Sequence, residues 1–243
     1  MPRSLASWLA WGDALQADWA RLVVQRANEG CLGRTGRLLL DLPALAQPFR
    51  CQSGECTPGR REPGARSCCA DIEVTLAPWE RRAVLRALPA LAALLAPRDR
   101  RWAPGVPALF EEEALSRPGG TCILAIRRER GLRCALEELE RARHLRPGAL
   151  KPLSCRLFPL VVVDLGQGRR LLTAVHAGTA RLGATPPPRL FPCLRGDPGR
   201  PPLYRELGPV LEALFGRATY RGLALEVRRH RRPQPPAPPA PLR

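Results

Sequence analysis

The sequence predicts an α+β protein, a single irregular and loop-rich domain in which helices surround small β-hairpins and a cysteine cluster lies at one end. Three observations predict this class. Apolar residues recur at helical spacing in several segments, pairs of short apolar runs are separated by glycine, and cysteine concentrates in a loop rich in Gly and Pro. The chain has 243 residues, of which 45% are apolar, and this length suffices to bury a core.

The N-terminal segment, 1–48, is predicted to be helical and to pack on the rest of the domain. Leu5, Trp8, Leu15 and Trp19 fall on one face of a helix that extends to about residue 29. Polar residues interrupt the apolar stretch, so it does not resemble a signal peptide. We therefore expect a cytoplasmic protein with reduced thiols, and no membrane as a partner.

A metal-binding domain is predicted over 49–227, and it opens with the loop CQSGECTPGRREPGARSCC at 51–69. Four of the nine cysteines lie in this loop, where no apolar core surrounds them. Thiolate sulfur is a soft ligand that suits zinc, copper(I) and iron–sulfur clusters. Adjacent residues of an extended chain point to opposite sides, so one zinc ion would not readily take both Cys68 and Cys69. Either one of the two is structural, or the site is polynuclear, or there are two sites.

The remaining elements follow from periodicity and from turn residues. Gly131 separates two apolar runs, and Gly166 and Gly168 separate two more, so each pair predicts a hairpin. The predicted elements are a strand over 71–76, a helix over 77–96 that kinks at Pro89, a short acidic helix over 108–115, a hairpin over 121–136, a helix over 137–145, a hairpin over 155–178, a helix over 203–216 and a strand over 223–227. The Arg- and Pro-rich tail, 228–243, is predicted to be disordered.

More cysteines follow along the chain, and the hairpin at 121–136 would bring two of them together near its open end. If this hairpin and the segment around residue 155 fold back onto the first loop, seven or eight thiols surround one region, more than the four that bind a single iron–sulfur cluster. Cys31, alone after a helix end, is interpreted as a small apolar residue. The predicted metal ligands are Cys51, Cys56, Cys68, Cys69, Cys122, Cys134, Cys155 and Cys193.

A net charge of +17 also fits a nucleic acid as partner, so the alternative is a basic nucleic-acid-binding protein with a structural zinc site. We favour it less, because the basic residues are 38 scattered Arg and only one Lys, and because aromatic residues make up 5% of the chain. A further alternative is an enzyme with a cysteine nucleophile and His144 or His176 as its base, although no local signature supports it. His176 is also a minor candidate as a metal ligand.

Three segments together resemble a known family: FRCQSGEC…SCCADIEVTL, then CILAIRRERGLRCAL, then KPLSCRLFPLVV. Their order, over about 49–165, resembles the bacterial YkgJ-like cysteine-cluster proteins, described as a zinc/iron-chelating domain with a CxxCxxCC signature. In this chain the first pair has the spacing C-x4-C and lies eleven residues before the adjacent pair. Cys122, Leu124, Gly131 and Cys134 occupy the middle motif, and Lys151, Pro152, Cys155, Arg156, Phe158 and Pro159 occupy the last.

The resemblance implies a metal-binding or iron–sulfur protein, and a related group resembles flagellin lysine N-methylases. No G-x-G-x-x-G loop is present to support a self-contained nucleotide-dependent enzyme. We therefore predict a protein that holds an iron–sulfur cluster, or alternatively zinc, with a redox or electron-transfer role and a redox or protein partner that the sequence does not identify. An enzymatic activity stays open, either as an iron–sulfur oxidoreductase or as an accessory in protein modification.

Overall fold

The computed structural model describes residues 10–13, 17–51, 66–128, 131–182 and 187–231. It confirms the predicted α+β class, because helices alternate with small sheets and with loops along the described chain. The described strands are β1 (Ala10–Asp13), β2 (Leu32–Thr35), β3 (Leu38–Asp41), β4 (Phe110–Glu111), β5 (Ala114–Leu115), β6 (Ala125–Arg128), β7 (Gly131–Cys134), β8 (Leu160–Asp164) and β9 (Arg170–Ala174). The described helices are α1 (Ala17–Asn28), α2 (Leu42–Ala46), α3 (Cys68–Asp71), α4 (Pro78–Arg86), α5 (Leu88–Leu95), α6 (Ala135–Ala142), α7 (Leu153–Leu157), α8 (Ala177–Leu182), α9 (Leu203–Glu206), α10 (Gly208–Phe215) and α11 (Arg217–His230).

The largest sheet has five strands in the order β1-β8-β9-β3-β2. Its centre is the antiparallel hairpin β8–β9, which was predicted from the glycines at 166 and 168. Strand β1 runs parallel to β8, and β3 runs parallel to β9, so strands from 10–41 and from 160–174 share one sheet. The run of buried residues Val161, Val162 and Val163 fits a strand with a neighbour on each side and cover on both faces.

The sheet and the helices α1, α2 and α9–α11 enclose the first hydrophobic core. Helix α11 approaches β2 closely, because a Cβ atom on Gly222 would clash with the side chain of Thr35. The fully buried Trp19 on α1 belongs to the same core, as do Leu211 on α10 and Leu223 on α11. The described residues between 17 and 49 therefore pack with those of 157–227.

A buried charged group joins α1 to the sheet within this core. Asp41 is fully buried, and its Oδ2 lies 2.7 Å from Thr173 Oγ1, 3.3 Å from His176 Nε2 and 3.5 Å from Arg26 Nε. Burial raises the pKa of Asp41, but the nearby imidazole of His176, the hydrogen bond from Thr173 and the charge of Arg26 outweigh burial and lower the pKa. Asp41 also begins helix α2, since its Oδ1 accepts from Ala44 N at 3.4 Å.

The second hydrophobic core is built from α4, α5, α6 and the hairpins β4–β5 and β6–β7. The β6–β7 hairpin confirms the first predicted hairpin, and the predicted break near Pro89 is confirmed because α4 ends at Arg86 and α5 begins at Leu88. Trp102 lies fully buried in this core, and its indole Nε1 donates to Ile123 O at 3.2 Å. The short helices α3 and α7 lie where the first and second cores meet.

Several predicted elements are wrong. The helix expected over 108–115 is the hairpin β4–β5, in which Phe110 pairs with Leu115 and Glu112 takes a positive φ of 55° at the turn. The expected strand over 223–227 lies inside α11, because Leu223 and Val227 are four residues apart and bury one helical face. The expected strand over 71–76 is reduced to one isolated bridge at Thr75, after the turn of α3.

The two ends of the chain also differ from expectation. The helix predicted over 4–29 is wrong at Ala10–Asp13, which form β1, and it is confirmed over α1. The segment 1–48 is not wholly helical, since β2 and β3 form a hairpin that sequence periodicity did not predict. At the other end, α11 continues to His230, and the tail beyond 231 lies outside the described residues. Within the described residues, no helix is both long and apolar enough to cross a bilayer.

Candidate metal centre

Six cysteines from four separate segments line one cavity of about 60 Å³ between the first and second cores. The rest of its wall is mostly aliphatic, and includes Ile72, Val74, Leu124 and Leu136. We call this space the cysteine cavity. The cysteines that line it are Cys51, Cys68, Cys69, Cys122, Cys134 and Cys155.

Helix α3 places the adjacent cysteines on the same cavity. Ser67 caps this helix, because its Oγ accepts from Ala70 N at 3.2 Å, and the carboxylate of Asp71 accepts from Ser67 N at 2.9 Å. The chain is thus helical at the pair, not extended, and the thiols of Cys68 and Cys69 are hydrogen-bonded to each other. The expectation that the pair would point to opposite sides is therefore wrong, although Cys68 packs on the first core and Cys69 on the second.

The β6–β7 hairpin contributes the next two thiols. Cys134 at the end of β7 pairs with Ala125, while Cys122 lies in the turn before β6, so the two cysteines do not pair directly across the hairpin. Cys122 N donates to Cys69 O at 2.8 Å, which attaches the hairpin to α3. In addition, Ala135 N donates to Leu124 O at 2.9 Å and holds the start of α6 against the hairpin.

Two carboxylates hold the segment that carries Cys155. Glu140 is buried, and it accepts from the backbone N–H groups of Gly148, Leu150 and Lys151 at 3.0, 2.6 and 2.7 Å. Glu80 on α4 accepts from Leu153 N at 2.6 Å, at the first residue of α7. These bonds fix the Lys-Pro-x-x-Cys segment relative to both α4 and α6, and so they fix Cys155 at the cavity.

Lys151 is the one cationic residue among the described residues that line the cysteine cavity. Its Nζ forms an ion pair with Glu137 at 2.8 Å. Burial lowers the pKa of Lys151, but the neighbouring Cys134 and Glu137 outweigh burial and raise it well above its ordinary value, so the ammonium stays charged. A fixed positive charge at this position favours thiolate over thiol.

The thiols of the cavity differ widely in their pKa values. The hydrogen bond from Cys69 lowers the pKa of Cys68 to about 7 despite burial, with a further contribution from Lys151. The same hydrogen bond and burial raise the pKa of Cys69 well above its ordinary value. Burial raises the pKa of Cys122 to about 12, and it also raises the pKa of Cys134 and of Cys155. Without a metal, one thiolate is thus favoured in the cavity and its neighbours stay protonated.

Six of the eight predicted ligands line the cysteine cavity. The other two, Cys56 and Cys193, are not among the described residues that line it. Cys56 lies outside the described residues. Cys193 is buried in the first core, and it does not line the cysteine cavity. Cys31 lies after α1, where its thiol donates to Glu29 O at 3.5 Å. Within the described ranges, no three Cys, His, Asp or Glu side chains form a group that could hold a metal ion.

Neither His144 nor His176 lines this cavity. His176 is engaged elsewhere, because its Nε2 faces Asp41 and its Nδ1 accepts from Gly178 N at 3.1 Å. Sequence reasoning missed the supporting carboxylates Glu80 and Glu140, whose partners are the backbone N–H groups of Leu153 and of the loop 146–151. Comparison of the chain with models of protein families, with curated proteins and with solved structures found no match in any of the three.

Proposed function

We propose that the protein is a metalloprotein whose cysteine cavity holds an iron–sulfur cluster, with zinc as the alternative, and that the centre serves a redox or electron-transfer role. The observation that carries the proposal is the meeting of six cysteines from four chain segments at one cavity. The residues that would hold the group are Cys51, Cys68, Cys69, Cys122, Cys134 and Cys155. A bound cluster would supply one-electron chemistry.

The side chains that line the cysteine cavity favour a metal centre that binds sulfur ligands. A buried cysteine often acts as a small apolar residue, and this role accounts for Cys193 in the first core. It does not account for the charged Lys151, which shares a cavity with six thiols. Moving a charge out of water is costly, and thiolates beside the ammonium group would offset that cost together with Glu137.

The arrangement suits a cluster better than a single ion. One zinc ion needs its thiolates around a single point at about 2.3 Å from the metal. The described cysteines contain no such group of three. Because a cluster has several metal atoms, its thiolates attach at separate points, and they need not converge on one. The resemblance to YkgJ-like proteins agrees with this proposal, since Cys122, Cys134, Lys151 and Cys155 of its motifs all line the cavity.

Purification without oxygen, followed by analysis of iron, acid-labile sulfide and zinc and by a visible spectrum, tests the proposal. Iron with matching sulfide and a broad visible absorption would support a cluster. Stoichiometric zinc without colour would move the assignment to a zinc site. A folded protein with neither metal would overturn the proposal.

Three Cys→Ser variants locate the centre. We expect Cys155→Ser and Cys51→Ser to lose most of the bound metal, and Cys31→Ser to keep it. Cys51 is exposed, so its replacement should leave the fold intact, and Cys31 is a matched control away from the cavity. Equal metal content in all three variants would contradict the ligand assignment.

A further inference from the structure

A second cavity, of about 310 Å³, lies beside the cysteine cavity, and we call it the basic groove. Its wall is formed by α4, by the loop 146–151, by α7 and by α10. Lys151 lines both cavities. The volume is at the lower end of the range of about 300–1,000 Å³ that small-molecule sites occupy. The side chains used below are those of Trp79, Ala83, Arg146, Lys151, Arg156 and Leu214, all of which line it.

Two guanidinium groups, those of Arg146 and Arg156, face the basic groove. Among the described residues, no Asp or Glu side chain forms an ion pair with Arg146 or Arg156. Arg156 Nη1 donates to a neutral acceptor, Gly148 O at 3.4 Å. Gly148 has a positive φ of 81°, and a Cβ atom there would clash with the Arg156 guanidinium. The glycine thus allows the loop to cover this guanidinium and to hold it in place before any ligand arrives.

The other charges of the groove are already engaged. Glu80 is the one acidic residue among its described lining, and its two carboxylate oxygens accept from Ala77 N at 3.0 Å and from Leu153 N at 2.6 Å. Lys151 is paired with Glu137. After these pairs are formed, the positive charge of Arg146 and Arg156 remains available to an anion.

The geometry points to the basic groove as a binding site for a small phosphate monoester with an apolar or aromatic body. Guanidinium groups bind phosphate oxygens in a bidentate manner, and two of them match the charge of a phosphate dianion better than that of a single carboxylate. Trp79, Ala83 and Leu214 supply an apolar wall for the body of the ligand. This site goes beyond the proposed metal centre and does not depend on it.

Calorimetric titration of the full-length protein with phenyl phosphate tests this inference, with benzoate as the comparison ligand. We expect saturable binding of phenyl phosphate that is tighter than that of benzoate. Arg156→Gln and Arg146→Gln should each weaken it by about tenfold or more, because each removes charge-assisted hydrogen bonds. The matched control is Arg181→Gln, which removes an exposed arginine of α8 away from the groove and should leave the affinity unchanged.

Three results would overturn the inference: no saturable binding, equal weakening by Arg181→Gln, or benzoate binding as tight as that of phenyl phosphate. Cys51→Ser tests whether phosphate binding depends on the metal centre. This variant should lose the metal and keep its affinity for phenyl phosphate. Loss of phenyl phosphate binding in Cys51→Ser would contradict the independence of the two sites.

Discussion

The backbone N–H of Cys122 donates a 2.8 Å hydrogen bond to the carbonyl oxygen of Cys69. This bond connects the adjacent cysteine pair of α3 to the β6–β7 hairpin, and it brings thiols from distant parts of the chain to one cavity. The cavity is therefore defined by backbone structure, and side-chain replacements within it should change its chemistry more than its shape.

Replacing Lys151 by Met should raise the pKa of the Cys68 thiol above its value of about 7, because Lys151 contributes to lowering it. The measurement is the pH dependence of iodoacetamide alkylation at Cys68 in metal-free protein, followed by mass spectrometry. Lys151→Arg keeps the charge and is the control. An unchanged pH profile in Lys151→Met would show that the lysine does not act on this thiol.

Metal binding should strengthen as the pH rises. The thiols of Cys122, Cys134 and Cys155 have raised pKa values, so they carry protons at neutral pH and must lose them to bind a metal. With Zn²⁺ as the probe, we expect a higher affinity at about pH 8 than at about pH 6.5, together with proton release detected by calorimetry in two buffers. An affinity independent of pH would mean that these thiols do not bind the metal.

Glu140→Gln should lower the free energy of unfolding by about 2 kcal/mol, since hydrogen bonds to a buried charged acceptor are replaced by weaker ones. The carboxylate of Glu140 accepts three backbone N–H groups of the loop 146–151. Denaturant unfolding measures the change, and Glu111→Gln, on an exposed residue of β4, is the control. A loss in Glu140→Gln no larger than that in the control would contradict this role.

Asp41→Asn should cost about 2 kcal/mol of stability at neutral pH, because it replaces a buried charged acceptor of Thr173 that also pairs with Arg26, while Arg26 keeps its ion pair with Glu29. The pKa of Asp41 is lowered in the folded protein, so its contribution is complete above the ordinary Asp pKa of about 3.9 and is lost as the pH falls through the folded value. The difference in the free energy of unfolding between wild type and Asp41→Asn should therefore disappear at acidic pH. The control is Asp18→Asn. Asp18 is exposed and pairs with Arg21, so this variant should leave the free energy of unfolding unchanged at any pH. A difference between wild type and Asp41→Asn that does not depend on pH would refute the argument.

Leu223→Ala should destabilise the protein by about 3 kcal/mol, whereas Leu225→Ala should cost less than about 1 kcal/mol. The reason is that α11 buries Leu223 completely and leaves Leu225 44% exposed. A strand over 223–227 would place both leucines on one face, so thermal unfolding of the two variants distinguishes the helix from the strand. Equal losses would favour the strand.

The sequence predicts local features of this protein better than long-range ones. Gly131, Gly166 and Gly168 mark hairpin turns that depend only on neighbouring residues, and both hairpins form where they were expected. The strand at Ala10–Asp13 could not be predicted in this way, because its pairing partner is β8. A short apolar segment is compatible with either a helix or a strand until its neighbour is known.

The candidate site was predictable in its residue types but not in its surroundings. The clustering of cysteines in the loop 51–69 indicated Cys51, Cys68 and Cys69, and the expected return of the hairpin and of the segment around residue 155 to this loop indicated Cys122, Cys134 and Cys155. The helical turn at Cys68–Asp71 was missed, since it depends on the cap at Ser67. The role of Glu140 was missed as well, because it accepts hydrogen bonds from backbone N–H groups. Every residue except proline has such a group, so the sequence does not indicate which residues are the partners.

The parallel pairing of β1 with β8 and of β3 with β9 has a consequence for the order of events during synthesis. Ala10 pairs with Val162, so β1 and β3 leave the ribosome long before their parallel neighbours β8 and β9. The segment between Val74 and Leu139 encloses the second core by itself and completes it earlier. The second core of the nascent protein would then form before the five-stranded sheet. Cys155 would join the other thiols only shortly before β8 and β9 complete that sheet.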